Sequence, residues 1–62
     1  MALYAIIFYD HGGNVRATHY IERFTDAAAI AEADRLNVLP HMFSGFEIWD
    51  GERLVQQLSN TG

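Results

Sequence analysis

The 62-residue chain has no cysteine and no lysine, and only one proline. Without cysteine there can be no disulfide, no thiolate zinc site and no thiol nucleophile or redox centre. Without lysine there is no Schiff-base amine and no phosphate-loop lysine. Positive charge is confined to Arg16, Arg23, Arg35 and Arg53, and the formal net charge is −4. Neutralising phosphates needs a basic patch, so nucleic acid is not an expected partner. The apolar opening MALYAIIFYD has no basic n-region or cleavage site and is shorter than a membrane span. It reads as a strand of a cytoplasmic protein with no membrane partner.

What is present is a folded-domain composition, 50% hydrophobic and 19% charged. A chain this short forms one domain, 1–62, whose core supplies only about 3–5 kcal/mol unaided. Disulfides, a structural metal or oligomerisation are the usual supplements. With the first excluded, self-association is the leading expectation.

Residues 3–9, LYAIIFY, are rich in β-branched and aromatic side chains and end at DHGGN, a hairpin turn in which Gly12 and Gly13 are free to take positive φ. The return strand is 15–24. The period then changes in TDAAAIAEADRLNVL. Thr25 or Asp26 can cap a helix whose inner face carries Ala29, Ile30, Ala33 and Leu36, with Asn37 and Pro40 as stop signals. Strand three covers 45–49 and strand four about 54–58, followed by a frayed SNTG tail.

The expected fold is α+β: ββαββ, a four-stranded antiparallel sheet in the order 2-1-3-4 with one helix on one face. The first strand is the one that is apolar on both sides, as a central strand should be. Closing the first hairpin over GG or over HGGN pairs Phe8 with Ala17, Ile6 with His19 and Tyr4 with Ile21. A four-residue DGER loop would pair Ile48 with Val55 and Trp49 with Leu54; a three-residue loop would pair Glu47 with Arg53. On the first of these choices the helix-free face collects Ile7, Tyr9, Tyr20, Trp49 and Leu54, rimmed by Arg16, Glu22 and Glu47. Aromatic-rich patches with charged edges mark interfaces. The residues Ile7, Tyr9, Arg16, Tyr20, Trp49 and Leu54 are therefore the interface and ligand candidates.

Chemistry-bearing residues are dispersed. His11, His19 and His41 lack metal-ligand spacing, and no metal or other cofactor is expected. Asp26 suits the helix N-terminus, while Glu22, Glu47 and Glu52 are solvated or pair with Arg23 or Arg53. Ser44 and Ser59 have no nucleophile elbow. The glycines of DHGGN precede a strand instead of a helix, so they form a turn and not a phosphate cradle.

The segments YAIIFYDHGGNV, FTDAAAIAEADRL and FEIWDGERLV resemble a group of short, uncharacterised alphaproteobacterial proteins. That group reads as an aromatic strand ending in Asp, a D-A-A-A-I helix start and an E-x-W-x-G-x-R hairpin, here Glu47, Trp49, Gly51 and Arg53. The resemblance implies a shared small α+β fold and brings no activity; the NVLPHMFSG linker is longer here. A further likeness, of topology alone, is to the ββα half of antitoxin-type regulators, where such a module binds a partner protein. Three functional readings follow. The first is a non-catalytic, self-associating interaction module, a homodimer or larger, that also admits a protein partner. The second is a small-ligand binder, with Tyr9, Tyr20 and Trp49 beside Arg16 or Arg53 in a groove between subunits. The third is an enzyme with an interfacial site and His19 as general base.

Overall fold

A computed structural model of the chain describes residues 1–37 and 42–59. The elements run β1 (Ala2–Tyr9), β2 (Val15–Arg23), α1 (Asp26–Leu36), β3 (Gly45–Asp50) and β4 (Arg53–Ser59). The strands form one sheet in the order β2-β1-β3-β4 with every neighbouring pair antiparallel. This is the ββαββ arrangement that the sequence pattern predicts. Pro40, His41 and the tail residues Asn60, Thr61 and Gly62 lie outside the described residues.

Alternation along β1 turns Tyr4, Ile6 and Phe8 to one side, where each is fully buried. Phe46 and Ile48 of β3 lie directly beside Phe8 and Ile6. The helix closes this layer with Ala29 and Ala33, both at 0% exposure. These alanines are one turn apart and share a face, and their small side chains let the helix backbone settle close to the aromatic floor. Ile30, Leu36, Phe43 and Val55 pack around the margin. Thr25 is the N-cap, its hydroxyl accepting from the Ala28 N–H at 3.1 Å. At the other end the Asn37 N–H is shared between the Ala33 and Asp34 carbonyls.

Asp26, expected to serve the helix dipole, also ties the helix to the sheet. Its Oδ1 accepts from the Tyr4 hydroxyl at 2.7 Å, and Arg53 donates to both of its oxygens at 3.0 Å. Arg53 also reaches Asp50 at 2.9 Å. One arginine thus joins the start of α1 to the β3–β4 hairpin.

Both hairpins differ from simple strand closure. In the first, the loop is His11-Gly12-Gly13, between the two closures considered from sequence. Asp10 donates its N–H to the Asn14 carbonyl, and its own carboxylate accepts from the Gly12 and Asn14 N–H groups. Only Gly13 takes positive φ, at 82°, while Gly12 does not. The odd loop length is absorbed by a bulge at Arg16, so the expected pairs Phe8–Ala17, Ile6–His19 and Tyr4–Ile21 all form. In the second, Gly51 (φ 61°) and Glu52 make a tight turn between Asp50 and Arg53. Trp49 pairs with Leu54 as expected, but Ile48 pairs with Gln56 and not with Val55. The cause lies in the sequence Val55-Gln56-Gln57-Leu58: its two apolar residues are three apart, and a period of two cannot place both on the core side. The bulge at Val55 lets Val55 pack on the core and sets Leu58 opposite Phe46.

Two outcomes test this construction. A Cβ at buried Gly45 would collide with the Leu58 carbonyl oxygen, so Gly45→Ala should cost about 1–3 kcal/mol in urea unfolding. The second concerns pH. Hydrogen bonds from Arg53 and Tyr4 hold the Asp26 carboxyl at about 2, below its ordinary 3.8. A depressed carboxyl contributes stability that is full above its unfolded value and lost as pH falls through the folded one. The urea midpoint should therefore drop between pH 3.8 and about 2, and Asp26→Asn should remove that part of the slope.

Candidate functional site

The helix covers one side of the sheet, and the opposite side is built by the odd-numbered residues of β1. Pairing places Tyr20, Ala5, Trp49 and Leu54 in one row across all four strands. The next row is Thr18, Ile7, Glu47 and Gln57. Tyr9 lies one row further on, beside Val15 and Gly45. Five of the six candidates from sequence, Ile7, Tyr9, Tyr20, Trp49 and Leu54, therefore share this face. Arg16, the sixth, is the extra residue of the β2 bulge at one corner, exposed and without an ion pair among the described residues.

Glu47, expected at the rim, is interior instead. It lies on β3, which has strands on both sides, and its Oε1 accepts from the Tyr9 hydroxyl at 2.9 Å and the Trp49 indole N–H at 3.1 Å. The half-buried carboxylate is thus clasped by the two aromatics on either side of it. Glu47 and Trp49 are two apart on one strand and so share a face; this spacing was visible in the sequence. Tyr9 joins them only through the β1–β3 register, which the sequence leaves unspecified.

The aromatic row has a notch. Tyr20 and Trp49 stand two strand spacings apart, roughly 10 Å, with Ala5 between them. Leu3, Ala5, Tyr20 and Trp49 enclose a depression of about 410 Å³ that continues to Asp50 and Gly51. A second depression of about 650 Å³ lies at the other end of the sheet, among Tyr9, Ser44, Gly45, Glu47, Gln57 and Ser59. Leu3, Tyr20 and Leu54 are 58%, 69% and 44% exposed, so the face presents apolar surface to solvent while its central carboxylate, Glu47, already has donors. Alternation along β1 puts Leu3 and Ala5 on this face, and Ala5's row partners Tyr20 and Trp49 give them meaning there.

The other sequence candidates lie elsewhere. Arg53 belongs to the helix clamp described above, so it does not serve the aromatic face as a ligand arm. Arg23 pairs with Glu32 and not with Glu22. His19 alternates to the helix side, away from Tyr20, where it is exposed and meets Phe8 edge-on with centroids 5.9 Å apart. No carboxylate hydrogen-bonds to it among the described residues. Among the described residues, no three His, Asp or Glu side chains converge to hold a metal ion, and no helix is long and apolar enough to cross a membrane.

The Glu47 clasp has a spectroscopic consequence. Donation to Glu47, together with partial burial and the nearby negative charge, raises the Tyr9 phenol above its ordinary value of 10.0. In Glu47→Gln the charge is gone while an acceptor remains. An ultraviolet titration of tyrosinate should then show one phenol ionising at lower pH than in the wild type.

No protein-family model matches the chain, and no curated protein or solved structure shows significant similarity to it.

Proposed function

We propose that this protein is a non-catalytic interaction module that self-associates, as a homodimer or larger symmetric assembly, with a second copy covering the helix-free face. The observation that carries this reading is the row Tyr20–Ala5–Trp49–Leu54, aromatic at two positions and open to solvent at its outer members. A second copy suits the face in size. The molecule measures 32 × 20 × 17 Å, so the sheet side presents roughly 600 Å² in projection, and two such faces together bury on the order of 1,200 Å², the lower end of a stable interface.

It also suits the face in chemistry. The notch over Ala5 lies between Tyr20 and Trp49, and the donors around Glu47 are turned inward onto its carboxylate. Such a surface offers hydrophobic complementarity around a central carboxylate that already has two donors, the character of homodimer interface cores. Burial there would add to a core that is small for an isolated domain. A foreign protein engaging the same face is the corresponding regulatory role.

Sedimentation equilibrium tests the reading. The wild type should be an assembly at micromolar concentration. Trp49→Ala, and Leu54→Glu at an exposed position, should each weaken it by at least about tenfold. A folded wild type that stays monomeric at high micromolar concentration would overturn the reading.

A further inference from the structure

The sheet has two open edges, β2 and β4, in addition to its open face. The β4 edge is interrupted at its middle by the Val55 bulge, a device that discourages edge pairing. The β2 edge is regular from Ala17 to Arg23. We propose that β2 pairs antiparallel with β2 of a second copy about a two-fold axis at His19, joining two sheets into one of eight strands.

The register follows from self-complementarity. A two-fold at His19 sets Arg16 beside the partner subunit's Glu22, and symmetry repeats that pair on the other side. Among the described residues, Arg23, Arg35 and Arg53 each have a carboxylate within their own chain, whereas neither Arg16 nor Glu22 has an ion-pair partner. Within one chain these two are six residues apart on a strand, roughly 20 Å, and cannot meet. The same axis sets Ile21 opposite the partner subunit's Ala17. Both positions lie on the helix side and pack against the core, so the two cores become continuous beneath the joint. Moving the axis to Thr18 sets Arg16 against Tyr20 and Glu22 against Asn14; moving it to Tyr20 sets Arg16 against Phe24 and Glu22 against Thr18. Neither alternative matches charges.

Backbone direction agrees. Alternate residues of an antiparallel strand turn their N–H and C=O to opposite sides. The Glu22 carbonyl accepts from the Arg23 guanidinium at 2.6 Å, which places it on the outer side, and alternation then turns Tyr20 and Thr18 outward too. About His19 those two residues pair reciprocally across the joint. The Glu22 carbonyl keeps a second lone pair for the ladder. Arg16 leaves the regular ladder at its bulge and reaches Glu22 through its long side chain.

This contact is separate from the face contact, and the two together generate a tetramer with perpendicular two-folds. The test uses Arg16→Glu and Glu22→Arg, both at exposed positions, so that folding is preserved. Each variant alone places like charges at both symmetric contacts and should weaken edge association by at least about tenfold. Mixed in equal amounts, the two variants form a heterodimer with both contacts attractive. Sedimentation of the mixture should recover the wild-type edge species, as should the double variant. Trp49→Ala should leave this species in place while removing the face contact. The proposal is overturned if neither charge variant changes the assembly, or if mixing them restores nothing. Loss of assembly in Trp49→Ala alone would then leave the face reading standing without the edge.

Discussion

A four-stranded sheet has two faces, and the described residues supply one helix with which to cover them. Everything else in the structure follows from how that helix is spent. It goes to the side where Tyr4, Ile6, Phe8, Phe46 and Ile48 point, and there it leaves all five of them buried. The other side is left with side chains apolar enough to gain from burial and, among the described residues, no element of the same chain to bury them. The proposed self-association rests on that asymmetry.

The polar groups are distributed so as to maintain it. Asp26, Tyr4, Arg53 and Asp50 form a cluster that fastens the first turn of α1 to the β3–β4 hairpin. Arg23 and Arg35 converge on Glu32 at the other exposed flank of the helix. With three arginines engaged on the helix side, the helix-free face keeps a single central carboxylate, and that one is occupied by Tyr9 and Trp49. A face whose internal hydrogen bonds are satisfied costs less to dehydrate than one whose donors need water.

Much of this was legible in the residues. The two-sided apolar character of β1, the Ala29/Ala33 stripe and the glycine turns specify the element order, the strand order and the first hairpin's pairing. What could not be read was set by local exceptions to strand periodicity. The three-residue loop after Asp10 and the bulge at Arg16 compensate each other, so the pairing survives while the loop geometry does not follow from it. The bulge at Val55 was encoded in the spacing of Val55 and Leu58, a conflict with period two that only an extra residue resolves. Glu47 reads as a rim residue in the sequence because its partner Tyr9 comes beside it only through the β1–β3 register. Asp26 looks like a local helix residue in the sequence because its partners, Tyr4 and Arg53, are distant along the chain.

Trp49 is the chain's only tryptophan, and it stands in the row on which the account rests. The most direct measurement is acrylamide quenching of its fluorescence across a dilution series, with mass followed in parallel by sedimentation. With a second copy covering this face, Trp49 emission should shift to the red and quenching should become more efficient as the assembly dissociates. A chain that is monomeric at every concentration, or one that dissociates with no change in Trp49 accessibility, would contradict it.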